Sequence, residues 1–103
     1  MRSRIWNKYN QKCAYCGKNI ALKDMQIDHI NPKALGGKDK EENYNPACRR
    51  CNKWKATYSL EQFKEEIQKQ VERLRRDVAG FRLAEDFFMI KDSTHKPQFY
   101  FEK

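Results

Sequence analysis

Long apolar runs are missing from this sequence. Nothing in its 103 residues approaches the roughly 18 or more consecutive apolar positions that cross a bilayer. The opening MRSRIWNKYNQKC holds no apolar core long enough for a secretion signal. Both absences predict a soluble, cytoplasmic protein with no membrane partner. Acidic residues are also missing, but only locally. Residues 1–20 carry Arg2, Arg4, Lys8, Lys12 and Lys18 and no acid, and residues 48–55 carry Arg49, Arg50, Lys53 and Lys55 and again none. The stretch between is close to balanced, so the net charge of +8 is concentrated in two places. Clustered cations attract a polyanion, nucleic acid being the usual one, because neutralising phosphates releases counterions. A solvated basic face is the plainer alternative. Internal repeats and low-complexity tracts are absent as well, and the length suits a single domain, 1–103. A domain this small buries a limited core and gains from a staple such as a metal.

Cysteine is scarce but paired. Cys13 and Cys16 stand in CAYC, Cys48 and Cys51 in CRRC, with 31 residues between the pairs. Two thiolates separated by two residues in a tight knuckle both reach one ion, so the four suit a tetrahedral structural Zn2+ site. Gly17 is the kind of residue such a knuckle uses where the backbone turns left-handed. Two disulfides or four unrelated thiols are the alternatives. A chain without an export signal argues against disulfides, and no βαβ pattern supports a thioredoxin-like pair.

Periodicity supplies the elements. Residues 2–9 predict a short helix with Ile5, Trp6 and Tyr9 at helical spacing. DMQIDHI predicts a short strand, NPKALGGKDKEEN a loop or hairpin turn, and a second short strand can flank it. A helix is expected over about 43–55, with Pro46 confined to its first turn. Ser59 and Gln62 form a capping box. Beyond it Leu60, Phe63, Ile67, Val71, Leu74, Val78 and Phe81 predict one long helix that stops at Gly80. Its stripe can pack within the chain or pair two copies as a homodimer through residues 60–81. KPQFYFEK has the composition of an edge strand, Trp54 and Trp6 are expected to pack on the core, and Phe87–Ile90 to be core or interface. His95 has no partner pattern. The expected class is α+β, with a zinc-stapled core over about 10–58 and a helical extension over about 59–103.

The remaining question is what His29 does between the cysteine pairs. Phosphodiester cleavage needs a hydroxide near neutral pH, and an unperturbed imidazole is well poised to take the proton. The negative charge that builds up can be stabilised by a divalent cation. A hard cation such as Mg2+ accepts a carboxylate and a carboxamide oxygen and keeps waters for the rest. Asp28 and Asn52 offer those oxygens, His29 offers the base, and a further polar group is needed to hold its ring. On a regular strand Asp28 and His29 would face opposite ways, so the backbone must distort near Asn31–Pro32 for both to serve one site. In isolation a histidine beside an aspartate is an ordinary hydrogen-bonded pair, and Asn43 and Asn52 are ordinary helix caps.

Taken together in order, CAYCGK, IDHINPKALGG and ENYNPACRRCNKWK resemble the HNH endonuclease family, over about residues 13–55. The resemblance implies a ββα-metal nuclease core. It implies His29 as the residue that activates water, Asn43 as the one that orients the histidine and its loop, and Asn52 with Asp28 as holders of a catalytic Mg2+ or Mn2+. Lys55 would face phosphate, beside Arg49, Arg50 and Lys53 as nucleic-acid contacts. Asn52 stands where many members have His. The expected activity is metal-dependent endonuclease hydrolysis of DNA phosphodiester bonds, with a targeting or packaging partner conceivable in a bacterial or bacteriophage setting. A zinc-stapled nucleic-acid-binding module without catalysis is the alternative.

Overall fold

A computed structural model describes residues 1–91 and 96–103, so His95 lies outside the described residues. Met1–Phe63 with Gln98–Lys103 form one compact unit and Lys64–Pro97 a second. Residues 98–103 thus belong with the core and not with the helical extension. No helix among the described residues is long and apolar enough to cross a membrane.

The first unit opens with helix α1, Arg2–Asn7, which buries Ile5 and lets Trp6 Nε1 donate to the Ile20 carbonyl at 2.7 Å. The first knuckle follows. Gly17 adopts φ +78°, and a Cβ there would meet the Tyr100 ring at 2.9 Å, so glycine is required on both counts. Strand β1, Gln26–His29, pairs antiparallel with strand β2, Tyr44–Ala47, with Asp28 opposite Asn45 and His29 opposite Tyr44. Helix α2, Arg49–Lys55, begins after Cys48, whose Sγ accepts from the Cys51 N–H at 3.4 Å.

The helix expected over 43–55 is therefore a strand and a shorter helix. Asn45 precedes a proline, which disfavours the α region and keeps the chain extended. Pro46 sits in a two-stranded sheet, where its missing N–H breaks no interior ladder, and its carbonyl accepts from Ala14 at 2.9 Å. All four residues of β2 are buried.

The core is aromatic. Phe63 and Phe99 stack at 5.4 Å between ring centroids, and Tyr15 meets Phe99 edge-on at 5.0 Å. The C-terminal segment is not a strand. Its Tyr100 and Phe101 N–H groups donate to Tyr15 and Ala14 at 2.9 Å each, and Tyr100–Glu102 then closes as a 3-10 turn. Phe99 is thereby set against the knuckle.

The long helix expected over 60–81 is three helices: α3, Leu60–Gln68, α4, Gln70–Asp77, and α5, Ala79–Asp86. The capping box forms, Gln62 N–H donating to Ser59 Oγ at 3.2 Å and Ser59 N–H to Gln62 Oε1 at 2.9 Å. Lys69 interrupts only slightly, but Val78 is extended at φ −120°, ψ 102°. Arg82 donates to the carbonyls of Arg75 and Arg76 and supplies partners that continued helix would have supplied. Gly80 lies inside α5 and stops nothing. The apolar stripe expected to run unbroken over 60–81 is interrupted at Val78. Phe87, Phe88 and Met89 are exposed rather than core, and Trp54 is half exposed.

Candidate active site and metal centre

The two knuckles bring Cys13, Cys16, Cys48 and Cys51 together, with their Sγ atoms all within 4.8 Å of one another. All four are free thiols, which sets aside the disulfide alternative. Four sulfurs about 2.3 Å from one ion at tetrahedral angles stand about 3.8 Å apart, and Cys16 Sγ to Cys48 Sγ is 3.9 Å. Cys13 is drawn down to about 4, first by a hydrogen bond from the Cys51 thiol and, against the cost of burial, by backbone N–H groups. The hydrogen bond to Cys13 and burial push the Cys51 thiol up, and burial pushes Cys16 up, so without an ion the cluster favours one thiolate among thiols. The donor set and its spacing fit a structural zinc.

Asp28, His29 and Asn52 line one open cavity of about 220 Å³, where β1 ends and α2 passes, together with Ile27, Pro32, Lys33, Ala34, Ala56 and Thr57. Both Asp28 and His29 border the cavity although β1 keeps regular antiparallel pairing through His29, so the backbone distortion expected there is not seen. None of the four cysteines lines it.

Asp28 is 4% exposed, with a partner on each carboxylate oxygen. Tyr15, from the first knuckle, donates its hydroxyl to Oδ2, and Lys55 Nζ stands 3.3 Å from Oδ1 and 3.1 Å from Oδ2. Burial pushes the Asp28 carboxyl up, and the Tyr15 hydrogen bond and the Lys55 charge oppose that rise. Burial and the Asp28 charge push the Tyr15 phenol up, so it remains a donor. A carboxylate offers about four acceptor directions, so Tyr15 and Lys55 leave Asp28 room for a further ligand on Oδ1. With the Asn52 carboxamide on the same cavity, the set suits a hard divalent cation.

Lys55 departs from expectation. It has no exposure and also donates to the His29 carbonyl at 2.7 Å, so it braces the strand end instead of facing phosphate. Arg49, Arg50 and Lys53 are exposed on α2.

Asn43 does not touch the His29 ring. Its side chain accepts from the Asn31 N–H at 2.9 Å and donates to the Asn31 and Lys38 carbonyls at 3.0 and 2.8 Å, closing the loop between the strands. The ring is met by Asp39, with Oδ1 3.0 Å from Nε2, and edge-on by Tyr44 at 5.1 Å. Tyr15 and Asp39 are the two site residues that motif reading passed over. A hydroxyl-bearing aromatic inside CAYC was one available signal. Asp39, inside the charged run KDKEEN, had none that set it apart from its neighbours.

These features have counterparts in known proteins. A family model described as HNH endonuclease matches residues 13–68, more than half of the chain, beginning at the first cysteine and ending with α3. The CRISPR-associated endonuclease Cas9 of Corynebacterium diphtheriae is 37% identical over 60 residues, covering 52% of this chain. The chain spans only 6% of that protein's length. Paired strands followed by a helix, a four-cysteine cluster and the match from Cys13 to Gln68 agree, and the chain belongs to the HNH endonuclease family.

Proposed function

We propose that this chain hydrolyses DNA phosphodiester bonds as a divalent-metal-dependent endonuclease. The observation that carries the reading is the convergence of Asp28, His29 and Asn52 on one open cavity. His29 takes the proton from a water that attacks the phosphorus in line with the departing 3′ oxygen. The new P–O bond forms as the P–O3′ bond breaks, leaving a 5′ phosphate and, once protonated, a 3′ hydroxyl. Asp28 and Asn52 hold Mg2+ or Mn2+, which when bound supplies positive charge against the anionic transition state. Tyr15 and Lys55 keep the Asp28 carboxylate oriented. Arg49, Arg50 and Lys53 bind backbone phosphates, and the cysteine cluster holds zinc as a staple with no part in the chemistry. DNA is favoured as the substrate by the basic α2 and by the nuclease family. The cytoplasm of a bacterial or phage-infected cell is the setting that fits reduced thiols.

The test is plasmid nicking by the zinc-loaded chain, with Mg2+ or Mn2+ added or withheld. Metal-dependent nicking is expected, and His29→Ala should lower it by about 10²–10⁴-fold, the range for a general base. Equal cutting by that variant would remove His29 from its role. Retained DNA binding without cleavage by the wild type would favour the binding-module reading.

A further inference from the structure

His29 has two ring nitrogens, and only one can be the base. Asp39 lies in the loop between the strands, and its partners determine which. Its Oδ1 receives the Tyr44 hydroxyl and sits 3.0 Å from His29 Nε2, while Lys33 Nζ stands 3.1 Å from Oδ2. Hydrogen bonds from Tyr44 first, then His29 and Lys33, hold the Asp39 carboxyl well below the usual carboxylate range. An ionised carboxylate can only accept, so the proton between it and the ring belongs to Nε2. A neutral imidazole carries one N–H, which leaves the lone pair on Nδ1.

We propose that Asp39 is a positioning residue, fixing His29 as the Nε2–H tautomer so that Nδ1 is the nitrogen that takes the proton from the attacking water. This rests on the nuclease reading above. The loop is built to deliver the carboxylate. Asn43 ties Asn31 to Lys38 across it, and the Gly37 N–H donates to the Pro32 carbonyl at 2.9 Å. A Cβ on Gly37 would lie 1.7 Å from the Asn31 oxygen, so no other residue permits this crossing. Asn43 therefore serves the histidine at one remove, by shaping the loop that carries Asp39.

Asp39→Asn is the informative variant. Lys33 can only donate and holds the carboxamide oxygen at the Oδ2 position, while the Tyr44 hydroxyl, which in the wild type donates to Oδ1, can turn to accept from the amide instead. That turns the amide NH2 toward His29, where it favours the Nδ1–H tautomer and removes the base's lone pair. Long-range 1H–15N NMR spectra of the zinc-loaded chain, taken with neutral imidazole and assigned with His29→Ala, read the tautomer directly. Plasmid nicking with Mg2+ or Mn2+ reads the consequence. The wild type should show Nε2–H. Asp39→Asn should shift toward Nδ1–H and lose about 10²-fold or more in kcat, by analogy with the aspartate that orients histidine in serine proteases. KM for DNA should stay unchanged, and Asp39→Glu should recover part of the rate. Wild-type nicking that Asp39→Asn retains in full, with or without a tautomer change, would overturn this proposal alone. A wild-type chain that does not nick would overturn the nuclease reading and the proposal with it.

Discussion

Phe63 and Phe99 in the first unit are 3% and 2% exposed, whereas Phe87 and Phe88 in the second are 71% and 94% exposed. The residue type is the same, so hydrophobicity alone does not decide burial. Closure does. In the first unit the chain returns on itself repeatedly: Cys13 meets Cys51, β1 meets β2, and the C-terminal Tyr100 N–H reaches the Tyr15 carbonyl. The second unit is built from neighbours in sequence. Its α4 and α5 have eight residues each, shorter than the roughly 12–15 at which an isolated helix becomes marginal in water. They are held by pairs such as Arg75–Glu85 and Arg73–Glu66, with Val71, Leu74, Val78 and Leu83 left exposed. The site residues all lie on the side of the comparison where closure is strong, and catalysis needs that rigidity because small displacements of a reacting group are costly.

Removing the staple should break the comparison most severely. Structural zinc contributes about 10–16 kcal/mol of apparent binding free energy, as much as the entire stability of about 5–15 kcal/mol of an ordinary domain. Chelation of zinc, or Cys13→Ser, should abolish amide-exchange protection across residues 1–63. The helical hydrogen bonds of α4 and α5 should keep most of the little protection they have. Equal collapse of both units would show that the second depends on the first. Persistence of protection in β1 and β2 without zinc would show that the aromatic core closes the unit by itself.

Replacing one phenylalanine on each side gives the next largest effect. Phe99→Ala deletes a buried ring stacked on Phe63 and Phe101, at a cost of about 3–5 kcal/mol. Phe87→Ala removes an exposed ring and should stay within about 0.5 kcal/mol. Urea unfolding midpoints of the two variants measure the difference. A large cost at Phe87 would mean that this surface is covered in solution.

The same division explains what the sequence could and could not convey. The cysteine knuckles, the Ser59–Gln62 box and the ordered Asp28, His29, Asn43, Asn52 set were legible because each depends on short spacing or on residue chemistry. The split of the 43–55 helix was legible in principle, since a residue before proline avoids the α region. Val78 was harder to foresee, because an apolar stripe keeps its period whether or not one residue in it turns extended. The terminal KPQFYFEK reads as a strand from composition, yet its hydrogen-bond partners are the carbonyls of a knuckle some 85 residues earlier. Lys55 departed from its expected place, and Asp39 went unnoticed, for the same reason. The basic residue turned inward because Asp28 and a strand-end carbonyl needed a donor there. The acid became important because a tied loop carried it to the histidine. No local pattern encodes where a loop tip or a long side chain meets the rest of the chain.

The smallest expected effect sharpens the comparison through pH. Glu85 accepts from Arg75 twice, at 2.9 Å from Nε and 2.7 Å from Nη2. Those hydrogen bonds first, and the guanidinium charge after the opposing cost of burial, hold its carboxyl below the ordinary value of 4.5. Asp77 is lowered in the same way beside Arg76. A carboxyl lowered by folding contributes stability that is present above its unfolded value and is lost as pH falls through its folded one. The α4–α5 pair should therefore lose exchange protection, corrected for intrinsic rates, as the solution is taken from pH 6 to below about 4.5, and added salt should weaken it in the same direction. In Glu85→Gln the carboxamide keeps one acceptor but has no charge to lose, so the acid step over residues 70–86 should shrink while neutral-pH protection is already slightly lower. An undiminished acid step in that variant would mean that the second unit is held by its apolar contacts and not by its ion pairs, and the contrast with the first unit would then be one of degree.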